Sequence, residues 1–177
     1  DYVQTPECTT LMEVDTERLM AETKPEKGNE AVAAFSAAAA DKKIWLHIGS
    51  MAVKVGDRRL ANRSYLIAPN VDVVARYDKI HMFDVDLGQG EVYSESVNYQ
   101  AGSNAVISEL PWGRLGLTIC YDLRFPALHR ALAKAGASFI AGPAAFTRIT
   151  GEAHWHTLLR ARAIETETFV LAAAQGG

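Results

Sequence analysis

The 177 residues suffice for one domain with a buried core, and a composition of 49% hydrophobic and 22% charged residues is typical of a globular protein. The net charge is -3 and the 18 lysines and arginines are scattered, which excludes the basic patch of a protein that binds nucleic acid or an anionic membrane. No apolar run approaches the roughly 20 residues of a membrane helix and the first residues do not resemble a signal peptide, so we expect a cytoplasmic protein with a small-molecule partner.

The first half of the chain predicts one helix and several strands. Residues 1–6 predict the end of a strand that stops at a proline-marked loop, because the residue before a proline favours extended geometry, and Glu7 follows this strand end. The alanine-rich run at 30–42 predicts a helix with Asn29 as its N-cap. β-Branched and aliphatic residues predict three strands, the last two joined by a Pro-Asn turn: 44–55, 63–68 and 71–76.

The second half alternates strands and helices, which is typical of an α/β layered fold. Residues 83–100 have little periodicity and predict a long loop, and long loops in compact domains are often functional. Pro126 is placed for the first turn of a helix and Gly136 for its end. The predicted elements are strands 105–110 and 115–120, helix 127–135, strand 138–141, helix 154–167 and strand 169–174.

The two cysteines are too few for a disulfide framework or a four-sulfur metal site. We interpret Cys8 as a small apolar residue near a strand end. Cys120 ends a predicted buried strand and precedes a helix, where the helix dipole and free N–H groups favour the reactive thiolate. The N–H of Tyr121 could also hold the oxyanion of a tetrahedral intermediate. From position alone, a buried inert cysteine is equally compatible with Cys120.

A thiolate that attacks an amide also needs a proton carrier and a cation for the developing oxyanion. Lys79 follows a predicted strand and has an apolar flank, so it is the candidate cation. Glu7 and Glu95 are the candidate carboxylates. Each of the three residues taken singly is equally compatible with a solvated surface position, so the assignment depends on their combination.

Three motifs in order carry that combination: Thr-Pro-Glu7, Tyr-Asp-Lys79-Ile-His and Gly-Leu-Thr-Ile-Cys120-Tyr-Asp-Leu-Arg-Phe-Pro. Together they resemble the nitrilase superfamily of carbon-nitrogen hydrolases over essentially the whole chain. The resemblance implies that Glu7 is the general base, Lys79 the catalytic lysine and Cys120 the nucleophile. It also implies a second catalytic glutamate, which falls on Glu95 in Tyr-Ser-Glu-Ser. No metal or cofactor is implied.

The resemblance further implies an α-β-β-α layered sandwich. Superfamily members usually have a strand and a helix before the strand that delivers Glu7, and further strands after the last one here. We therefore expect residues 1–177 to be a single carbon-nitrogen hydrolase domain that is incomplete at both ends. Homodimers or higher homo-oligomers are also implied, through helices around the nucleophile, and the predicted helix 127–135 could pair in this way or pack internally.

Within the superfamily the chain is most similar to the deaminated-glutathione amidases, with the ω-amidases as near relatives. The stretches that carry this similarity are His-Met-Phe-Asp-Val-Asp, Thr-Gly-Glu-Ala-His-Trp and Leu-Leu-Arg-Ala-Arg-Ala-Ile-Glu-Thr. The implied substrate is a small amide with a carboxylate. Such a carboxylate is best oriented by a side chain that presents two parallel hydrogen-bond donors. Arg124 is the candidate donor, with Tyr121 beside it and Thr150, in a predicted loop, supplying a hydroxyl. Arg124 could instead pair with Asp122.

Three alternatives remain open at this point. In a cysteine-histidine hydrolase, one of four histidines would activate Cys120: His81, His129, His154 or His156. His154 and His156 could also be a metal pair, but no third ligand of the right type is nearby. A binding module would keep the pocket without turnover. A nitrilase or a carbamoyl-amide hydrolase of the same superfamily would differ only in substrate.

Overall fold

The computed structural model describes residues 1–88 and 90–176. In this part of the chain the α-helices are α1 (Thr16–Glu22), α2 (Glu30–Lys42), α3 (Pro126–Lys134) and α4 (Arg148–Thr166). The strands of the first half are β1 (Tyr2–Gln4), β2 (Trp45–Gly56), β3 (Arg59–Ile67), β4 (Val73–Asp78), β5 (Asp84–Asp86) and β6 (Val92–Ser94). The strands of the second half are β7 (Val106–Leu110), β8 (Gly113–Leu117), β9 (Phe139–Ala141) and β10 (Phe169–Leu171). Two 3-10 turns cover Glu95–Val97 and Cys120–Arg124.

The strands of the described residues form two four-stranded sheets and one small hairpin. The first sheet has the order β1-β2-β3-β4, with β1 parallel to β2 and the other pairs antiparallel. The second has the order β10-β9-β8-β7, with β7 and β8 antiparallel and the remaining pairs parallel. β5 and β6 pair as a hairpin beside the sheets.

Side-chain alternation along β3 shows how the first sheet is covered. Leu66 belongs to a core cluster with Leu117 of the second sheet, whereas its neighbours Tyr65 and Ile67 pack with α2 residues. Successive side chains of a strand point to opposite faces, so the second sheet covers one face of the first and α2 covers the other.

The second sheet is covered in the same way. Leu115 and Leu117 are fully buried in the core that contains Leu66, and a Cβ added at the intervening Gly116 would lie 3.0 Å from Leu132 of α3. The layers are therefore α2, the first sheet, the second sheet, and α3 with α4. This order confirms the predicted α-β-β-α sandwich.

Several predicted elements are confirmed with shifted ends. Asn29 caps α2, accepting hydrogen bonds from the N–H groups of Ala31 and Val32. The hairpin of β3 and β4 is present, and α3 begins at Pro126. The apolar side of α3, with Leu128 and Leu132, packs internally against the core.

Other predictions were wrong. β8 ends at Leu117, so Cys120 lies in a turn beyond the strand and not in it. α4 begins at Arg148, so Thr150 lies in a helix and not in a loop. The segment 83–100 is not a structureless loop, because its described part contains β5, β6 and a 3-10 turn; residue 89 of this segment lies outside the described residues.

Among the described residues, no helix combines the length and the apolar character needed to cross a membrane.

Candidate active site

The ends of four elements meet at one edge of the sandwich. Glu7 follows β1 and Lys79 follows β4, both in the first sheet. Cys120 follows β8 of the second sheet, and Glu95 begins the 3-10 turn after β6. All four line the same cavity, which has a volume of about 460 Å³. The structure thus brings together the four residues that the sequence predicted as catalytic.

Lys79 is the centre of this cluster and is 2% exposed. Its Nζ donates to Glu7 Oε1 at 3.0 Å and to Glu95 at 3.1 Å (Oε1) and 2.9 Å (Oε2). Burial alone would lower the pKa of Lys79, but Glu7, Cys120 and Glu95 reverse this effect and raise it well above the ordinary value. Lys79 is therefore a buried cation at neutral pH, held between two carboxylates.

Backbone N–H groups hold the two carboxylates in place. The N–H of Ala145 donates to Glu7 Oε2 at 3.0 Å, and the N–H of Phe83 donates to Glu95 Oε2 at 2.7 Å. Asn62, on β3, donates from Nδ2 to Glu7 Oε1 at 2.9 Å and to Glu95 Oε1 at 3.2 Å. Asn62 was absent from the residues that the sequence predicted.

Gly49 of β2 allows the loop that carries Glu7 to lie against the sheet. A Cβ at this position would stand 2.1 Å from the carbonyl oxygen of Thr5 and 2.5 Å from that of Pro6. Such distances are far inside van der Waals contact, so no residue with a side chain fits here without displacing the loop. Glycine at position 49 therefore sets how closely Glu7 approaches β2.

Cys120 adopts a backbone conformation that is unusual for a residue with a side chain. Its φ is 48°, in the left-handed region, and its N–H donates to the carbonyl oxygen of Pro143 at 2.8 Å. Non-glycine residues persist in this region only where their surroundings enforce it, and such positions concentrate at functional sites. The turn places Cys120 on the wall of the cavity that Glu7 also lines.

The surroundings of Cys120 oppose the thiolate that a position before a helix favours. Burial, followed by the negative charge of Glu7, raises the pKa of Cys120 well above the ordinary thiol value, and the opposing effect of Lys79 is smaller. The nucleophile is therefore a neutral thiol in the resting site, and it needs a proton acceptor at the moment of attack. Glu7 is in position to be that acceptor.

Asp122 fixes the turn that carries Cys120 to the segment that carries Lys79. Its carboxylate accepts from the Tyr77 hydroxyl at 2.6 Å, from His81 Nδ1 at 2.6 Å and N–H at 3.1 Å, and from the Ile119 N–H at 2.9 Å. The alternative that Arg124 pairs with Asp122 is wrong, because these donors occupy the carboxylate. Tyr77 and His81 each stand two residues from Lys79, and Asp122 stands two residues after Cys120.

Arg124, Tyr121 and Thr150 lie on the cavity wall with the catalytic cluster. The Arg124 guanidinium lies 5.9 Å from the centre of the Tyr121 ring and 5.5 Å from that of Phe146. Arg124 also lies 3.3 Å from Nδ1 of His154, and among the described residues it forms no ion pair with a carboxylate. The Thr150 hydroxyl is already engaged with Thr147 at 2.8 Å.

Cys8 follows Glu7 in the loop after β1, and its side chain also reaches the cavity. Burial, with a further contribution from Glu7, raises the pKa of Cys8 to about 12. A thiol with such a pKa stays protonated at neutral pH and is a poor nucleophile. The interpretation of Cys8 as an inert small residue is consistent with this environment.

The described residues give no support to a cysteine-histidine pair, because no histidine in this part of the chain lines the cavity. His81 is engaged with Asp122, and His129 is buried on α3 with its Nδ1 at 3.2 Å from the carbonyl oxygen of Phe125. His154 and His156 are exposed on α4. Glu7 is the group that faces the thiol.

Comparison with known proteins agrees with this fold. The profile of the family described as carbon-nitrogen hydrolase matches residues 1–177. A deaminated glutathione amidase from Yersinia enterocolitica is 50% identical over 138 residues, which are 76% of this chain and 48% of the relative. One from Dictyostelium discoideum is 43% identical over 143 residues, 78% of this chain and 49% of the relative. The chain thus spans about half the length of these curated relatives.

The crystal structure of the NitFhit protein of C. elegans superposes with a TM-score of 0.89 at 36% identity. The superposition covers 99% of this chain and 43% of that one. The α-β-β-α sandwich of this chain is therefore a nitrilase-type fold. The chain belongs to the carbon-nitrogen hydrolase family.

Proposed function

We propose that this protein is an amidase that hydrolyses a small carboxylate-bearing amide through a thioester on Cys120 and releases ammonia. The observation that carries the proposal is Lys79, which is buried between Glu7 and Glu95 on the wall of the cavity that Cys120 also lines. This arrangement supplies a nucleophile, a proton carrier and a fixed cation at one cavity, as attack on an amide requires.

In the first step Glu7 accepts the proton of the Cys120 thiol while the sulfur bonds to the amide carbon. The electron pair of the carbonyl moves onto its oxygen, where Lys79 and the N–H of Tyr121 stabilise the negative charge. The raised pKa of Cys120 makes this coupled proton transfer necessary, because free thiolate is scarce in the resting site. Glu95 holds Lys79 in position through two contacts.

In the second step protonated Glu7 gives its proton to the amide nitrogen, the carbon-nitrogen bond breaks and ammonia leaves. The acyl group remains on Cys120 as a thioester. Glu7 then takes a proton from a water molecule that attacks the thioester carbon. Collapse of this second tetrahedral intermediate releases the carboxylic acid, and the thiol recovers its proton.

Arg124 supports the choice of a substrate with a carboxylate. Its guanidinium is held between two aromatic rings at the cavity, and a planar fork of donors suits a carboxylate. Thr150, at the start of α4, is proposed as a second polar contact. The relatives named deaminated glutathione amidase support deaminated glutathione as the first candidate, with 2-oxo-acid ω-amides as the second.

We also propose that the protein forms homodimers or higher homo-oligomers. Large apolar side chains are exposed on α4 and beside it, with Ile164 at 77% and Phe169 at 71%. Size-exclusion chromatography with light scattering tests this part. A mass of one chain at micromolar concentration contradicts it.

The activity is tested by incubating the protein with deaminated glutathione and, in parallel, with α-ketoglutaramate. We expect ammonia release from one of them, and its loss in Cys120→Ala while the thermal unfolding midpoint of the variant shows that it is folded. Folded wild-type protein that releases no ammonia from either amide contradicts the proposal.

A further inference from the structure

Asn62 contacts three members of the catalytic cluster although it bears no charge. It is 4% exposed, and its Nδ2 lies 2.9 Å from Glu7 Oε1 and 3.2 Å from Glu95 Oε1. Its backbone carbonyl accepts from the N–H of Lys79 at 2.9 Å. The two hydrogens of one amide are thus shared between two carboxylates, while the backbone of the same residue anchors the lysine.

The contacts of Asn62 overlap with those of Lys79. Lys79 Nζ donates to the same two oxygens, at 3.0 Å for Glu7 Oε1 and 3.1 Å for Glu95 Oε1, and its third contact is Glu95 Oε2. An ammonium has three hydrogens to donate. In the resting site all of them point at carboxylates, so one must turn away before Lys79 can donate to a substrate oxyanion.

We propose that Asn62 is a positioning residue that keeps the Oε1 atoms of Glu7 and Glu95 bonded while Lys79 turns one N–H toward the reacting oxygen. The inference rests on the proposed amidase function. Without Asn62 that turn would leave a carboxylate oxygen with one donor fewer, which is costly because Glu7 is only 4% exposed. A neutral amide suits the role because it adds donors without adding charge.

The same contacts assign different tasks to the two oxygens of Glu7. Oε1 is occupied by Asn62 and Lys79, whereas Oε2 accepts only the Ala145 N–H at 3.0 Å among the contacts of the described residues. Oε2 therefore retains the free lone pair for the Cys120 proton. When the S–H bond breaks, the O–H bond forms on Oε2, and the same oxygen later passes the proton to the leaving nitrogen.

The variant Asn62→Ser tests the role by removing the amide hydrogens at small cost in volume. We expect kcat for ammonia release to fall about 10- to 100-fold, because the lost donors matter most when Lys79 has turned, and KM to change less than about twofold. The acidic limb of the kcat profile is expected to move to higher pH, since carboxylates that lose a donor bind protons more readily. A merely structural role would scale kcat equally at every pH.

The matched control is Asn29→Asp, at a buried asparagine that is not among the residues lining the cavity. Asn29 caps α2, and aspartate caps helices equally well, so both kcat and its pH profile are expected to match the wild type. If Asn62→Ser does not fold, Asn62→Ala replaces it. This variant also removes both amide donors, so the acidic limb is expected to move in the same direction.

A second readout does not depend on turnover: the rate at which iodoacetamide alkylates Cys120 as a function of pH, followed by peptide mass. Without the Asn62 donor, the charge of Glu7 is less compensated and holds the Cys120 thiol protonated to higher pH, so the alkylation profile shifts upward. Wild-type protein that releases no ammonia would contradict the amidase function, and the alkylation profile alone would then decide on Asn62. An unmoved alkylation profile, or an unchanged kcat in an active enzyme, overturns the inference.

Discussion

His81 Nδ1 lies 2.6 Å from Asp122 Oδ1 and joins the segment after Lys79 to the turn that begins with Cys120. The His81 ring also stacks on Phe125 with centroids 3.6 Å apart and an interplanar angle of 8°. Asp122 is fully buried and also accepts a hydrogen bond from the Tyr77 hydroxyl. The chain segments before and after Lys79 are therefore both hydrogen-bonded to the turn that begins with Cys120. The distance between cation and nucleophile is thus set by contacts outside the reacting groups.

Asp122→Asn is expected to weaken this connection. The amide would present N–H groups to some of the donors that now face a carboxylate, and a mismatch at a buried site costs about 2–4 kcal/mol in the free energy of unfolding. Urea denaturation measures the loss, and kcat is expected to fall with it. Asp41→Asn, at a position with 70% of its side chain exposed, is the control and should stay within about 0.5 kcal/mol of the wild type.

Gly49→Ala is expected to displace the loop that carries Glu7. The new Cβ would overlap the carbonyl oxygens of Thr5 and Pro6, and overpacking of this kind costs about 1–3 kcal/mol or more. We expect a lower thermal midpoint together with loss of ammonia release. Gly56→Ala, on the same strand with only an ordinary 3.6 Å contact to Arg59 Cβ, should change neither quantity; equal effects of the two substitutions would refute the steric explanation.

Most residues of this site could be predicted from the sequence. The residues that were missed were missed for physical reasons. Cys120, Lys79 and Glu7 stand in specific motifs at strand ends, and those strand ends meet in the fold. Asn62 was missed because the predicted strand 63–68 began one residue after it, whereas β3 spans Arg59–Ile67 and its register places Asn62 beside Lys79. The one available hint was an asparagine in an otherwise strand-forming segment.

The errors in the predicted helices also have local physical causes. The start of α4 was predicted six residues late, since Gly151 weakens helix propensity there, but the Thr147 side chain caps the helix by accepting from the Thr150 N–H. α1 was missed because it has seven residues, too few for a periodic pattern; it begins at the Asp15 cap. The resting state of Cys120 depends on burial beside Glu7, which only the assembled cluster determines.

The stability of the protein should fall at alkaline pH, partly through Cys120. The folded pKa of this thiol is raised, so the folded state keeps a proton that the unfolded chain loses above its ordinary value of about 8.5. This contribution is fully present below that value and is lost as pH rises toward the folded pKa. Thermal midpoints from pH 7 to 10 should therefore decline less in Cys120→Ala than in the wild type; parallel declines would contradict the raised pKa.

Arg124→Gln is expected to weaken binding of a carboxylate-bearing amide. Removal of a charge-assisted contact should raise KM about 10- to 100-fold, with a smaller change in kcat. Arg130→Gln, at an exposed position of α3, should leave both constants unchanged. An unchanged KM in Arg124→Gln would show that the substrate carboxylate is held elsewhere.

Cys120 is proposed to carry the acyl group of the substrate as a thioester. Trapping that acyl group with hydroxylamine is the most direct test. Hydroxylamine competes with water for a thioester and converts the acyl group into a hydroxamate, which is measured beside released ammonia. We expect hydroxamate from the wild type and neither product from folded Cys120→Ala. Ammonia release that persists in Cys120→Ala, or that proceeds in the wild type without any hydroxamate, would contradict it.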